Sequence, residues 1–446
     1  MAGEIIPGIQ VRAGETLQLH NAIVDPQRGL ERINEMAAQF DPADIEALRR
    51  DALTSGMSNR PFHVIGAGEL GLTSMLAMIE ARAFSRGLAI FHEPPSFVDN
   101  SSPKRASQFY FTVARIENAL ALTLYAAQRG IEVAVNDIDV LIADGPKSRR
   151  PLPKPLVEAA QWAGPNPLVL NTVAFARHMG PASPDVEVPP SVLSINMEGG
   201  LSRMNIPPFN IKQGEATLAS MGYNDEALRM GYKEAGLLGS QKPEDVDASW
   251  VFPTWPGGSR HALIDFTPGV YNRGRLGQAK MIAENAAIRW NMDPALATQH
   301  GMVVILDLPA FLSGALGAIP GGFRMYFLSR QVLEEKGMFL PMSKLAPQSL
   351  SLILDRGFVR QNPLAFVQTD MYERANAGLI MERLGEFERR VAAYRESHPD
   401  APETLSPEAA HEILMHPTPL VPGNYRDVLG VMRAPEQVVI PTLTQG

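Results

Sequence analysis

The feature that most restricts the fold is a glycine turn set between a short apolar run and a helix. Phe62-His63-Val64-Ile65 has the length and character of a buried strand, and Gly66-Ala67-Gly68-Glu69-Leu70-Gly71 follows it directly. Leu72 to Ser85 reads as a helix ended by Gly87, and Leu88-Ala89-Ile90-Phe91 reads as a second buried strand. Strand, G-x-G-x-x-G, helix and strand form a βαβ unit, which requires parallel strands in one sheet. The first glycine makes the tight turn, the second lets a pyrophosphate approach the backbone, and the third packs helix on strand. Glu69 and Leu70 lie in the turn just before the helix, whose N-terminal amides and partial positive charge favour an anion. Glu93 stands beside His92 just past the second strand. A carboxylate there accepts hydrogen bonds from a ribose 2′-hydroxyl and repels a 2′-phosphate, which favours NAD(H) over NADP(H). Lys104-Arg105 lies nearby and could serve a phosphate instead.

The rest of the chain repeats the alternation. Strand-like runs at Ile131–Val135, Leu168–Val173 and Met302–Leu306 are separated by helical patterns at Phe109–Gln128, Leu156–Gln161 and Gly277–Arg289. This predicts an α/β fold with a Rossmann-type, doubly wound, mostly parallel sheet. Residues 1–61 read as a helical lead-in packed on the core, with helices over Val24–Phe40 and Pro42–Leu53. Residues 62–330 read as the cofactor and substrate domain, and 331–446 as a helix-rich C-terminal embellishment. Proline-rich stretches at Pro146–Pro155 and Pro181–Pro190 read as surface connections.

Composition removes several function classes. There is no cysteine, hence no disulfide, thiolate metal site or cysteine nucleophile. Lys and Arg number 40 against 48 Asp and Glu, for a net charge of −8, and no basic domain stands out for nucleic acid. Leu308 to Phe323 carries no charge, but six glycines and prolines interrupt it and it is short for a membrane span. The N-terminus lacks a basic flank followed by an apolar core, so no signal peptide is expected and a cytoplasmic location follows. No metal is expected: His411 and His416 are five apart, whereas a metal-binding helix pair needs four.

Tyr271 and Lys280 are nine positions apart, which on one helix would put them on opposite faces. They could meet only if Tyr271 lies in a loop, with Lys280 in the first turns of the following helix; Gly269, Gly274 and Gly277 permit that. On the residues alone, a loop tyrosine and a solvated lysine fit as well as a working pair.

Several segments taken in order resemble the FabV-type enoyl-ACP reductases and the related trans-2-enoyl-CoA reductases. Val270 to Lys280 is similar to their Tyr-x8-Lys signature. His20 to Leu30 resembles their N-terminal segment, and Val64 to Leu72 their cofactor turn. Phe91-His-Glu-Pro94 resembles Phe-Phe-Glu-Lys-Pro, and Leu168 to Arg177 the strand carrying Leu-Ala-Ser-Pro-Val-Arg. Met221 to Leu238, Ala318-Ile-Pro320 and Leu333 to Gly337 continue the likeness, which runs thinly from about residue 20 to 350. There are departures. The cofactor turn is one residue shorter. Ser249 to Trp255 stands where the family has Tyr-Ser-Tyr-Ile-Gly and holds no second tyrosine. Ser313 to Gly317 replaces Thr-Gln-Ala-Ser-Ser.

The resemblance implies an NADH-dependent reductase of the C=C bond of a 2-enoyl thioester, with coenzyme A or an acyl carrier protein as the carrier. Tyr271 would stabilise the enolate oxygen as it forms, and Lys280 would hold the cofactor ribose. Further cofactor contacts are expected at Asp137, Val173, Ala174, Leu312 and Ser313, and substrate contacts at Phe252, Trp255, His261 and Ile319. The stretch from Leu308 to Phe323 would line an acyl channel or serve as core. The protein is expected to be a monomer or homodimer. The rivals are a reductase of the same fold acting on a ketone or imine, and a non-catalytic nucleotide-binding protein.

Overall fold

The computed structural model describes residues 17–19, 22–91, 117–137, 152, 154–172, 191–195, 200–205, 225–238, 248–254, 275–309, 311, 321–355, 357 and 366–414. Among them, a small antiparallel pair, β1 (Leu17–Leu19) and β2 (Ala22–Val24), precedes two helices, α1 (Pro26–Ala37) and α2 (Pro42–Ser55). Each helix opens on an Asp-Pro pair. The Asp25 carboxylate accepts from the Gln27 amide at 2.9 Å and the Asp41 carboxylate from the Ala43 amide at 3.0 Å. The proline that follows has no amide to leave unpaired.

The apolar runs become a seven-stranded parallel sheet. Its strands are β3 (Phe62–Ile65), β4 (Arg86–Phe91), β5 (Glu132–Asp137), β6 (Leu168–Asn171), β9 (Ala248–Thr254), β10 (Met302–Asp307) and β11 (Phe366–Gln368). Their spatial order is β11-β10-β9-β6-β3-β4-β5, which is the doubly wound arrangement expected, extended by a seventh strand. β7 (Ser191–Ile195) and β8 (Leu201–Asn205) form a separate antiparallel hairpin.

Both sheet faces are covered, and for that reason the strands are mostly apolar rather than alternating. On one face Phe62, Val64, Leu168, Leu170 and Val304 pack against α1, α2, α3 (Glu69–Ala81), the helical residues 117–128 (α4) and a helix over Met342–Leu354. On the other, Ile65, Ile90, Val169, Trp250 and Ile305 meet α5 (Lys154–Ala163), α6 (225–234), α7 (Arg275–Met292) and α8 (Pro294–His300). A third apolar cluster joins Leu201 of the hairpin to helices over Gly322–Glu335, Ala377–Ser397 and Pro407–Leu414. None of the described helices is long and apolar enough to cross a membrane.

The helix of the βαβ unit is displaced from its expected bounds, starting at Glu69 rather than Leu72. The first helix of the βαβ unit ends at Ala81, where Arg82 takes the left-handed conformation at φ 51°. Gly87 therefore does not stop the helix. It lies inside β4, where an added Cβ would come within 2.9 Å of Val133 Cγ2.

α1 is fastened to α4 by charge. Glu117 accepts from Arg28 and from Arg32, each at 2.6 Å, and from the Asp25 amide at 3.1 Å. The second buried ionic group holds α6 to the sheet. Asp225 Oδ1 accepts from Asn171 Nδ2 at 2.7 Å and from Trp250 Nε1 at 2.8 Å, and Oδ2 accepts from Arg229 at 2.8 Å. Both members of this ion pair are fully buried, and the Arg229 guanidinium lies 5.0 Å over the Trp290 ring. Burial lowers the arginine pKa, and the Asp225 carboxylate opposes that shift. Asp225→Ala would leave three buried donors without an acceptor. It is expected to cost about 3–5 kcal/mol of folding free energy, read from the urea unfolding midpoint.

His63, in the middle of β3, has no exposure; its Nδ1 lies 3.4 Å from the Tyr232 hydroxyl. Burial lowers its pKa from 6.5 to about 3. Below pH 6.5 the unfolded chain takes up a proton that the folded state refuses. Stability from this group is therefore complete above 6.5 and falls toward pH 3 by about 1.4 kcal/mol per unit. His63→Leu should flatten that part of the stability profile, measured by urea unfolding between about pH 4 and 7.

Candidate functional site

In a doubly wound sheet the ligand crevice lies beyond the carboxyl ends of the strands where the winding reverses. Here β4 and β5 lie to one side of β3, and β6, β9, β10 and β11 to the other, so the reversal falls between β3 and β6. Ile65 and Asn171 are paired at that edge, and the glycine turn and Thr172 begin immediately past them.

The turn is held from both neighbouring strands. The amides of Gly66 and Ala67 both donate to the Ile90 carbonyl of β4 at 2.9 Å. On the β6 side the Thr172 amide donates to the Ile65 carbonyl at 2.8 Å, and the Thr172 hydroxyl bonds the Gly66 carbonyl. Gly66 sits at φ 83°, a left-handed conformation that glycine adopts without strain. Its carbonyl also accepts from the Gly68 amide at 2.7 Å.

The three glycines do different things. A Cβ on Gly71 would lie 2.6 Å from the Gly66 oxygen and 2.7 Å from Val64 Cγ1, so helix and strand touch only because it is absent. Among the described residues, a Cβ on Gly68 would meet no atom within 4 Å. Gly68 is also the N-cap of α3, with no side chain to bond the first-turn amides. α1, α2 and α8 each have an aspartate there. Open space in front of uncapped amides at a helix N-terminus is what a dinucleotide pyrophosphate requires. Glu69 and Leu70 are the first two residues of that helix.

The far side of the crevice is formed by β9 and α7. The register Leu170↔Val251 puts Phe252 beside Asn171, and Phe252 is buried at the carboxyl end of the sheet. Thr254 ends the strand, and its hydroxyl donates to Glu284 of α7 at 3.3 Å; both are buried. α7 starts at Arg275, so Lys280 falls in its second turn. Asp137 ends β5 at the same edge. Asp307 ends β10 and bonds Arg374 at 3.2 Å, and Arg374 also bonds Asp370 at 2.6 Å.

His92, Glu93, Lys104, Arg105, Val173, Ala174, Trp255, His261, Tyr271, Leu312, Ser313 and Ile319 lie outside the described residues. Of the stretch from Leu308 to Phe323, Leu308 belongs to the sheet-face core and Gly322 starts a helix. Ser249 to Thr254 belongs to a central strand, and the Trp250 indole is committed to Asp225. Trp250 therefore offers no donor to a substrate. Asn171, Thr172, Glu284 and Asp307 were not singled out in the sequence. Each follows or interrupts an apolar run without a motif, and its partner is remote in the chain.

No protein-family model matches the chain, and no curated protein does. Among solved structures it is similar to the trans-2-enoyl-CoA reductase of Clostridium acetobutulicum in complex with NAD. The TM-score is 0.60 at 13% identity, over 94% of this chain and 95% of that one. The same enzyme in complex with NADH matches with a TM-score of 0.59 at 12% identity, over 94% and 95% of the two chains. At such identity the likeness is one of fold, and it spans nearly the whole of both chains.

The glycine geometry makes a paired test. Gly71→Val should destabilise the protein by about 1–3 kcal/mol, because the Gly66 carbonyl already holds the space. Gly68→Val should leave the unfolding midpoint within about 0.5 kcal/mol of the unaltered protein, measured by the same urea titration.

Proposed function

We propose that this chain is an NADH-dependent reductase acting on the C=C bond of a 2-enoyl thioester. The observation that carries the reading is the empty cradle at Gly68, set before uncapped helix amides at the reversal of the sheet. The fold likeness to a trans-2-enoyl-CoA reductase in complexes with NAD and NADH supports the choice of cofactor and reaction. The Tyr-x8-Lys resemblance supports the assignment of roles.

When bound, the dinucleotide supplies a hydride to the β-carbon of the enoyl group. The amides of Glu69 and Leu70 hold the pyrophosphate, and Gly68 leaves room for it. Glu93, just past β4, accepts hydrogen bonds from the adenosine ribose. Asp137, at the end of β5, together with Val173, Ala174, Leu312 and Ser313, supplies the further cofactor contacts that the resemblance implies. Lys280, one turn above Glu284, holds the nicotinamide ribose. The Tyr271 hydroxyl donates to the thioester oxygen, on which negative charge gathers, and a proton taken from solvent at the α-carbon completes the saturated thioester. Phe252, Trp255, His261 and Ile319 shape the acyl site. The carrier is coenzyme A or an acyl carrier protein.

Loss of absorbance at 340 nm on mixing protein, NADH and crotonyl-CoA tests the reaction. Tyr271→Phe should lower the rate constant by about 10²–10³-fold with little change in NADH affinity, as expected for one oxyanion donor. Lys280→Ala should weaken NADH binding as well. Gly68→Val should lose NADH binding while staying folded, and NADPH should bind about 5–150-fold more weakly than NADH. Normal turnover by Tyr271→Phe on an enoyl thioester would sink the mechanism. Normal NADH binding by folded Gly68→Val would reduce the glycine turn to a structural joint.

A further inference from the structure

The geometry points to Thr172 as a positioning residue of the dinucleotide site, acting through the Gly66 carbonyl. This rests on the cofactor reading above and adds to it a residue outside the glycine motif. Three contacts converge on the Gly66 oxygen. The Gly68 amide donates to it at 2.7 Å, the Thr172 hydroxyl bonds it, and the Gly71 Cα side of α3 packs against it. The orientation of that carbonyl therefore fixes both the turn and the start of the helix.

Gly66 alone cannot fix it. Glycine at positive φ has little intrinsic preference for one conformation. Two outside groups supply the restraint. The Ile90 carbonyl of β4 holds the Gly66 and Ala67 amides, each at 2.9 Å. Thr172 holds the opposite end of the Gly66 peptide from β6, and its hydroxyl also lies 3.2 Å from the Ile65 carbonyl. The Thr172 amide, bonded to that same Ile65 carbonyl at 2.8 Å, sets the hydroxyl's place. Thr172 thus ties the first half of the sheet to the second at the point where the winding reverses. Without it, among the described residues the Gly66 carbonyl keeps only the Gly68 amide, a bond within the turn itself. The amides of Glu69 and Leu70 would then be presented to a pyrophosphate in a wider range of positions, and binding must first narrow that range.

Thr172→Val removes the hydroxyl with little change of shape, and Thr172→Ser keeps it. NADH affinity is read by quenching of protein fluorescence, and amide hydrogen exchange is followed over residues 66–71. Thr172→Val should raise the NADH dissociation constant about 3- to 10-fold and speed exchange in that segment, while Thr172→Ser stays within about 2-fold on both. Ser351→Ala is the control. It removes a hydroxyl bonded to Asp51 at 2.5 Å on two helices away from the crevice, and should change neither reading. Unchanged affinity and exchange in Thr172→Val would overturn the assignment. If the unaltered protein binds no NADH, the cofactor reading fails. Exchange over residues 66–71 then still decides whether Thr172 holds the turn.

Discussion

The contact on which the structure turns is that between Gly71 and the Gly66 carbonyl. An added Cβ would stand 2.6 Å from that oxygen, so α3 lies as close to its own strand as backbone allows. Such an approach brings the helix N-terminus to the carboxyl edge of the sheet rather than to one side of it. Everything proposed for the crevice uses that placement. The uncapped amides face the gap between β3 and β6, and the turn can be gripped from β4 by Ile90 and from β6 by Thr172. A larger residue at Gly71 would move the helix outward and loosen all of these together.

The second organising constraint is burial on both faces. A parallel sheet covered on each side must satisfy its polar groups internally, and this protein does so at the edges of its strands. Asn171 and Trp250 share Asp225, Thr254 meets Glu284, and Asp307 meets Arg374. These polar residues stand at or near the carboxyl ends, which is where a ligand site would also lie. A buried charge with its partners ties a helix to the sheet by directional bonds, and α6 and α7 are among the helices so tied. The site is therefore framed by elements whose positions depend on a few directional bonds.

The likeness to an enoyl-CoA reductase fold and the divergence of sequence fit together in these terms. At 13% identity the likeness is one of fold, which hydrophobic period can set without shared residues. The residues around a substrate are not under that constraint. Trp250 illustrates the difference. It lies in a segment that departs from the expected tyrosine-bearing pattern, and its indole serves the Asp225 network.

Much of the framework was legible in the chain itself. Phe62–Ile65, Leu168–Asn171 and Met302–Asp307 are strands close to where their apolar runs place them, and the glycine turn joins the first of them to a helix. Hydrophobic period and glycine spacing are local properties, and a sequence displays them directly. β9 and β11 were not legible. Ala248–Thr254 carries serine, proline and tryptophan, and Phe366–Gln368 is too short to show a pattern; each becomes a strand because β10 offers an open edge. The same holds for the polar partners. Thr172 and Gly66 are far apart in the chain, as are Asp225 and Asn171, and no local rule pairs them. The sequence determined the apolar strands at Phe62–Ile65, Leu168–Asn171 and Met302–Asp307 and the glycine turn that opens a helix after the first of them. Only the tertiary structure decided which side chains hold that turn in place, because hydrogen bonds between remote residues exist only once the sheet has brought its strands together.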